Sequence, residues 1–335
     1  MIKVEYPFPK KGNFFEISDH LHDFDDVQSI LTYSNIDPNK YPVISVVIPA
    51  YNADYLREAI LSAINQDFDL DYELLIVDDL GRGNENTLPF LKTLKTPIIR
   101  YYRNTRNIGL FGNWNRCISL SRGRYIVYLH SDDCLIPTTL STLWNTHLQL
   151  SEETAVIGRY ITLDKNGHES FHYQKKQWGP IKTLDGYYVG KYGLLQNDLC
   201  NGCGSLINRE CIIRLGGWNP DFYPGSDRIL FMNYFDRYSI YRVNSVVRIE
   251  STAIATSSSV FRKYPASGYY KSKAIIERYF KIKWFWNWVN IQCYIVRSRT
   301  NYEWENNATK QPIPFYSKIV SKLFAYSYLL RDKTI

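Results

Sequence analysis

The chain has 335 residues, of which 45% are hydrophobic and 22% charged, a composition that excludes a disordered or fibrous protein. No N-terminal apolar segment resembles a secretion signal, and no stretch reaches the ~18 apolar residues of a membrane-spanning helix. The net charge of +7 is uneven, because residues 261–335 carry 14 Lys and Arg against 4 Asp and Glu. We therefore expect a cytoplasmic protein with a basic C-terminal region, and peripheral association with the inner face of the membrane is an open alternative.

After an irregular segment at 1–40, which we interpret as an extension with at most one short helix, strands and helices alternate along the chain. Continuous β-branched runs such as VISVVI at 43–48 are typical of buried parallel strands. The predicted strands are 43–48, 72–79, 97–104 and 124–133, and the predicted helices are 53–66 and 109–123. This alternation predicts an α/β fold with a parallel, doubly wound sheet.

Polar pairs follow three of the predicted strands: Tyr51 with Asn52, Asp78 with Asp79, and Asp132 with Asp133. Ligands of such sheets bind beyond the carboxyl ends of the strands, so these residues are candidates for one site. Two adjacent carboxylates repel each other, and a divalent cation would neutralise them. The chain has neither of the standard glycine-rich phosphate loops, so a bound nucleotide would need such a cation, and carboxylates suit Mg²⁺ or Mn²⁺.

Four segments in order resemble the family 2 glycosyltransferases: PVISVVIPAYN (42–52), ELLIVDDLGRGNENT (73–87), the segment 103–137 ending in LHSDDCLIP, and LINRECIIRLGGWNPDFYPGSDRILF (206–231). The resemblance implies the GT-A fold, a Rossmann-like, mostly parallel sheet flanked by helices, here with a helical C-terminal extension. It implies a GT-A domain at 41–260, with a nucleotide-sugar half (41–137) and an acceptor half (138–260), between the N-terminal extension (1–40) and a basic, aromatic, helical region (261–335).

The activity that this resemblance implies is inverting, metal-dependent sugar transfer from a nucleotide-diphosphate donor, with UDP-sugars expected. The acceptor would be a hydroxyl of a glycan or lipid-linked glycan in surface polysaccharide synthesis. By the same resemblance, Asp227 is the catalytic base, Asp133 the ligand of Mn²⁺ or Mg²⁺, and Asp132 faces the donor sugar or ribose. Asp79 would contact the base ring. The other expected nucleotide-sugar contacts are Pro49, Tyr51, Asn52, Arg106, Asn107, Gly109 and Asn115.

The chain departs from the usual family pattern at Leu80-Gly81, where Gly-Ser is common, at His130 and at Ser226. Two other functions stay open: sugar transfer to polyprenyl phosphate, and non-catalytic binding of nucleic acid or an anionic surface through the basic tail. No nucleic-acid module is legible, so we expect no nucleic-acid partner. The aromatic segments 281–299 and 315–333 fit either a membrane surface or a dimer contact.

Overall fold

The computed structural model describes residues 13–52, 55–82, 84–163, 169–171, 185–196, 202–223, 225–251, 265–306 and 313–331. The strands are β1 (Ser29–Ser34), β2 (Ile44–Asn52), β3 (Tyr72–Arg82), β4 (Ile99–Asn104), β5 (Tyr125–Tyr128), β6 (Cys134–Leu135), β7 (Ala155–Leu163), β8 (Glu169–Phe171), β9 (Gly186–Tyr188), β10 (Ser205–Asn208) and β11 (Ile240–Ser251). The α-helices are α1 (Leu56–Ile64), α2 (Thr87–Thr93), α3 (Leu110–Leu120), α4 (Thr139–His147), α5 (Lys191–Gln196), α6 (Arg209–Arg214), α7 (Ser226–Arg237), α8 (Pro265–Tyr279), α9 (Lys283–Asn306) and α10 (Phe315–Arg331).

One sheet joins these strands in the order β1-β4-β3-β2-β5-β10-β7-β11-β6, with β8 on β7 and β9 on β11. β4, β3, β2 and β5 are parallel to one another, β10 is antiparallel between β5 and β7, and β11 is parallel to β7. The expected α/β class, with flanking helices and a helical C-terminal portion, is confirmed. The sheet itself is mixed: the run β4-β3-β2-β5 is parallel, as expected, but most of the other described strand pairs are antiparallel.

The strands bury side chains on both faces, as a helix-covered sheet requires. Along β2, Val47 faces a core that α3, α7 and α8 complete, while Val46 and Ile48 face a second core with α1 and α4. This alternation explains why VISVVI reads as one unbroken apolar run. Both neighbouring layers are largely apolar, and the polar residue of the run, Ser45, is buried with its hydroxyl donating to Glu73 at 2.6 Å.

The N-terminal segment differs from its prediction. Residues 13–40 hold no α-helix but the edge strand β1, antiparallel to β4. Phe14 and Phe15 are buried in the α7 core, and the Asn233 side chain donates to the Phe14 carbonyl at 2.9 Å. Residue 40 is therefore no structural boundary. The sequence signal is weak because most β1 side chains are exposed at the sheet edge.

The described part of the C-terminal region contains three helices, as the aromatic segments predict for two of them. Ile275 and Ile276 of α8 are buried in the same core as α7, and Trp286 of α9 joins them. The outer sides of α9 and α10 are exposed. Within the described part of the chain, no helix combines the length and apolarity that crossing a bilayer needs.

Candidate active site

The candidate site lies at the edge of the sheet where the parallel strands end. β2 lies between β3 and β5, so the residues after these three strands are neighbours. The antiparallel strand β10 begins at this edge, because Cys203 bridges to Tyr128. β11 runs parallel to β7 and, through β10, in the same direction as β5, so its end near Arg248 reaches the same edge. The topology thus gathers side chains that are up to 200 residues apart in sequence.

Asp79, at the end of β3, is buried and hydrogen-bonded on both carboxylate oxygens. It accepts from the Asn104 side chain at 2.8 Å and from the backbone N–H groups of Ile108 and Gly109, each at 2.9 Å. Burial raises the pKa of Asp79 to about 6, and the same three donors oppose that rise. Asp79 therefore holds the backbone segment that leads into α3. Its contact with a base ring stays a prediction.

After Asp79, the last residues of β3 approach the end of β2 very closely. Leu80 has a φ of 58°, a left-handed conformation that is strained for a leucine, and its backbone continues into Gly81. A Cβ on Gly81 would lie 1.3 Å from the carbonyl oxygen of Tyr51, so only glycine fits there. Tyr51 itself is half exposed at this edge, as a base-stacking residue must be, whereas Pro49 is buried within β2. Asn52 ends β2 and pairs with Arg82.

The segment before α3 is tied to β3 and to the N-terminal segment. Asn107 donates to the Asp79 carbonyl at 2.9 Å and accepts from the Gly109 N–H at 3.1 Å. Arg106, expected to contact a phosphate, forms an exposed ion pair with Asp26 at 2.8 Å. Its phosphate contact stays a prediction. A phosphate that binds Arg106 would have to displace Asp26 from it.

Asn115 is the site residue that the structure reassigns. It is buried on α3, and its amide donates to the carbonyls of His20 and Trp218 and accepts from the Trp218 N–H at 2.7 Å. All the polar atoms of its side chain are therefore engaged by the protein's own backbone. We correct its expected role from lining the nucleotide pocket to joining three segments of the core.

The turn His130–Asp133 follows β5 and is closed by a hydrogen bond from the Asp133 N–H to the His130 carbonyl at 3.2 Å. Beneath it, the Trp114 ring lies 5.0 Å from the His130 ring. Asp132 is partly exposed. Burial and the neighbouring charge of Asp133 raise the pKa of Asp132, although His130 opposes the shift. The two adjacent carboxylates thus differ strongly in environment.

Asp133 is engaged by a residue that sequence reasoning did not consider. Arg248 donates from Nη1 to Asp133 Oδ2 at 2.7 Å, and both side chains are almost completely buried. The Nδ1 of His130 lies 3.4 Å from the same oxygen. Burial disfavours the charge of Asp133, but the His130 hydrogen bond and the Arg248 charge hold its pKa below the usual value.

These contacts do not fit a divalent metal on Asp133. His130, Asp133 and Cys203 place a nitrogen, an oxygen and a sulfur atom within 4.8 Å of one another. Hard cations such as Mg²⁺ and Mn²⁺ prefer an all-oxygen set, however, and metal-binding sulfur must be a thiolate. Burial raises the pKa of the Cys203 thiol well above its ordinary value, and a guanidinium already neutralises the carboxylate. Cys200, the other cysteine of the CNGC motif, lies outside the described residues.

Asp227 lies in the first turn of α7 and accepts from the Arg228 N–H at 2.7 Å. Burial raises its pKa, and the charge of Lys271 opposes the shift most strongly, with smaller effects of Arg228 and His130. Lys271 belongs to α8, is buried, and donates to the Gly225 carbonyl at 3.3 Å. A Cβ on Gly225 would lie 2.0 Å from the lysine nitrogen, so this glycine makes room for it.

Sequence reasoning missed Lys271 and Arg248, and also Arg103, which pairs with Asp78 at 3.4 Å. Arg248 carried one weak signal, a charge inside the apolar strand VVRIES of β11. Lys271 carried none, because it is one of many basic residues in the tail. Arg103 lies beside the predicted strand end but resembles an ordinary surface charge.

Comparison with known proteins agrees with this geometry. The model of the family described as "Glycosyl transferase family 2" matches residues 45–216. The chain belongs to this family. It is therefore a glycosyltransferase. Arg248, Asp227 and Lys271 all lie beyond the matched range. Members of this family often use a divalent metal.

Three similar proteins illustrate the relationship of this family 2 glycosyltransferase to known ones. A Campylobacter jejuni protein, GalNAc(5)-diNAcBac-PP-undecaprenol beta-1,3-glucosyltransferase, is 26% identical over 70% of this chain and 74% of its own length. The Staphylococcus aureus poly(ribitol-phosphate) beta-N-acetylglucosaminyltransferase TarP is 32% identical over 35% of this chain and 36% of its own. The structure of S. aureus TarS 1–349 with UDP-GlcNAc has a TM-score of 0.52 at 12% identity, covering 87% of this chain and 91% of that one, and shows a shared fold.

Proposed function

We propose that this protein transfers a sugar, with inversion, from a nucleotide-diphosphate donor to a hydroxyl of a glycan or lipid-linked glycan in surface polysaccharide synthesis. One observation carries the proposal: Asp132 and Asp227, from two different parts of the chain, both lie close enough to His130 for its charge to oppose the rise of their pKa values, at the edge where ligands of such sheets bind. The names of the C. jejuni and S. aureus relatives, which describe glycan-extending transferases, support the substrate class.

Asp227 is the proposed base. The acceptor oxygen attacks the anomeric carbon and loses its proton to the Asp227 carboxylate, while the bond from the anomeric carbon to the phosphate oxygen breaks. The electron pair leaves with the nucleoside diphosphate. The raised pKa of Asp227 favours this role, because a stronger base accepts a proton more readily in the transition state. The nearby charge of Lys271 opposes the rise of the pKa and so favours the ionised carboxylate.

UDP is the proposed nucleotide. TarS, whose fold this chain shares, has been crystallised with UDP and with UDP-GlcNAc. Tyr51 is exposed at the sheet edge and offers a ring for stacking on the base. The other residues proposed to shape the nucleotide pocket are Pro49, Asn52, Asp79, Asn107 and Gly109. Mn²⁺ or Mg²⁺ is the cofactor that the family resemblance predicts, although Asp133, its expected ligand, is paired with Arg248. Asp132 is proposed to face the donor sugar or ribose.

The decisive experiment separates donor binding from transfer. Asp227→Asn should bind UDP as wild type does in calorimetry, yet transfer sugar at least ~100-fold more slowly, the usual scale of a lost general base. Asp221→Asn is the matched control, because Asp221 lies six residues earlier in an exposed position. Unchanged transfer by Asp227→Asn would refute the base assignment. Failure of wild type to bind UDP, GDP or dTDP would refute the proposed donor class.

An anionic membrane surface is the proposed partner of the C-terminal helices. α9, the two residues before it and α10 expose large apolar side chains and lysines. These are Ile282, Trp284, Phe285, Trp288, Ile291, Phe315, Tyr316, Ile319 and Leu323, together with Lys281, Lys283, Lys318 and Lys322. Trp284 and Phe315 are 76% and 78% exposed, which is unusual for large apolar side chains. Aromatic rings beside lysines suit the headgroup region of a bilayer, where a lipid-linked acceptor would lie.

Vesicle flotation tests this partner against the alternative of a dimer contact. We expect wild type to float with phosphatidylglycerol vesicles at low salt, and Trp284→Ser with Trp288→Ser to stay in solution. Tyr41→Ser is the control, since Tyr41 is 81% exposed but lies far from α9 in sequence. A wild-type protein that does not float, and whose mass by light scattering is that of a dimer, would favour the dimer contact instead.

A further inference from the structure

The Arg248–Asp133 pair is built as a fixed element of the site. Besides its bond to Asp133, Arg248 donates from Nη2 to Glu250 at 3.2 Å, and its guanidinium lies 4.5 Å from the centre of the Tyr160 ring. The side chain is therefore held by a carboxylate at each amino group and by an aromatic face. Little freedom remains for it to leave Asp133, since only 2% of the side chain is exposed.

The position of the pair is set by pairing between distant strands. β6 follows the His130–Asp133 turn directly and is antiparallel to β11, with Arg248 opposite Leu135 and Ile249 opposite Cys134. This register brings Arg248 beside Asp133 whenever β6 and β11 are paired. The contact thus follows from the sheet itself and not from a chance side-chain orientation.

A metal on Asp133 would have to compete with this guanidinium. Removing one partner of a buried ion pair leaves the other charge uncompensated in a poorly solvated place, which is strongly unfavourable. A divalent cation bound at the same carboxylate would also lie within a few ångströms of the Arg248 charge and be repelled by it. Both effects oppose metal occupancy at Asp133.

We propose that Arg248 supplies from within the chain the positive charge that the family resemblance predicts as a metal ion on Asp133. The inference rests on the proposed function, because the neutralised turn is then the one that receives the donor diphosphate. Arg248 acts through Asp133 as a positioning residue: it keeps that carboxylate charged, compensated and directed away from the ligand. Asp133 is accordingly no metal ligand in this protein, and nucleoside-diphosphate binding does not depend on a metal held there.

The first test measures Mn²⁺ alone, by the electron paramagnetic resonance signal of the unbound ion. Wild type should bind no Mn²⁺ and leave the signal unchanged. At the same concentrations Arg248→Gln should bind about one equivalent of Mn²⁺ and reduce the signal. The double variant Arg248→Gln/Asp133→Asn should again leave it unchanged. Arg242→Gln is the control, since Arg242 is equally buried on the same strand and lies six residues from Arg248. Circular dichroism checks whether Arg248→Gln folds. Arg248→Lys, which keeps the charge, is the second variant for the case that it does not, and it should leave the Mn²⁺ signal unchanged as wild type does.

Two results would overturn the inference without involving a nucleotide. One is Mn²⁺ binding by wild type that Asp133→Asn abolishes. The other is the absence of Mn²⁺ binding by a folded Arg248→Gln, because another feature would then exclude the metal. Both readings are independent of whether the protein is a UDP-sugar transferase.

The second test measures UDP binding by calorimetry in EDTA and in MnCl₂. Wild type should bind with dissociation constants that agree within about threefold, whereas Arg248→Gln should bind at least about tenfold more weakly in EDTA and recover with Mn²⁺. A wild-type affinity at least tenfold dependent on Mn²⁺, and equalised by Asp133→Asn, would overturn the inference. No binding of UDP, GDP or dTDP in either buffer would instead refute the proposed function, and the Mn²⁺ experiment would still decide the role of Arg248.

Discussion

Single carboxylates in this site acquire different chemistry from their surroundings although they look alike in the sequence. Asp79 is buried under three hydrogen-bond donors, Asp133 is paired with Arg248, and Asp227 is buried near Lys271. Burial raises the pKa of Asp79 and of Asp227. At Asp133 burial acts in the same direction, but the His130 hydrogen bond and the Arg248 charge help to outweigh it and leave the pKa lowered. A structural anchor, a compensated charge and a candidate base thus arise from one residue type.

The raised pKa of Asp79 predicts a pH-dependent stability. In the unfolded chain this carboxyl titrates near 3.8, and in the folded protein near 6, so the folded state binds the proton more tightly between these values. Its contribution therefore becomes less favourable as the pH rises from 4 to 7, by up to about 3 kcal/mol. In urea unfolding, the free energy of unfolding of wild type should fall relative to that of Asp79→Asn by about that amount from pH 4 to pH 7. The exposed Asp69→Asn should show no such trend, and a constant difference for Asp79→Asn would contradict the argument.

The charge of Lys271 predicts a shift in the pH profile of transfer. The activity should fall as the pH falls through the pKa of Asp227, because the protonated carboxyl cannot act as a base. Lys271→Met removes a charge that favours the ionised carboxylate, so the acidic limb of kcat/KM should move to higher pH by about one unit. Lys273→Met is the control on the same helix, where Lys273 is partly exposed and pairs with Glu277. A lower kcat at an unchanged pH profile would mean that Lys271 only supports the fold.

At the scale of elements, one helix connects the nucleotide half to distant segments. α3 carries Asn115, whose amide joins the N-terminal segment at His20 and the loop at Trp218. The Trp218 indole in turn donates to the Tyr128 hydroxyl at 2.9 Å, beneath the His130–Asp133 turn. The position of that turn therefore depends on α3 as well as on β5.

Loss of the Asn115 amide should destabilise the whole domain. Asn115→Ala leaves two buried carbonyl groups and one N–H with fewer partners, which we expect to lower the free energy of unfolding by about 2–3 kcal/mol. Asn145→Ala, an exposed change on α4, should cost less than about 0.5 kcal/mol. If Asn115→Ala keeps wild-type stability but weakens UDP binding, the residue lines the nucleotide pocket after all.

At the scale of the whole molecule, described segments on both sides of the central sheet sequence pack into the same core. The N-terminal segment contributes Phe14 and Phe15 to the core, and the C-terminal helix α8 contributes Ile275, Ile276 and the buried Lys271. Both segments pack on α7, the helix that carries Asp227. The candidate base is thus held by segments outside the range that the family model matches.

The packing of the N-terminal segment predicts that shortening one of its side chains will strongly lower the stability of the protein. Phe14 is buried, and its ring lies 5.3 Å from that of Phe222 just before α7. Phe14→Ala should lower the free energy of unfolding by about 3 kcal/mol or more, the usual cost of removing a buried phenyl ring. Ile17→Ala, at a position that is 37% exposed, should cost much less. Equal stabilities of the two variants would show that the packing of Phe14 does not stabilise the fold.

The sequence by itself determined the β2, β3, β4 and β5 strands with α1 and α3, because their apolar runs have the periods of buried strands and helices. It also determined that Asp79 and Asp132 share one edge, since consecutive parallel strands end on the same side. The short helix α2 and the exposed edge strand β1 escaped prediction because neither carries a strong apolar pattern.

Only the tertiary structure decided which charges meet. The pair of Arg248 with Asp133 spans 115 residues, and Lys271 reaches the loop at Gly225 across 46. Neither contact has a local pattern, because sequence periodicity describes which face of an element is buried and not which distant element covers it. Sequence reasoning assigns the adjacent carboxylates Asp132 and Asp133 to a metal. Once β11 is in place, the charge of Asp133 is compensated by Arg248 instead.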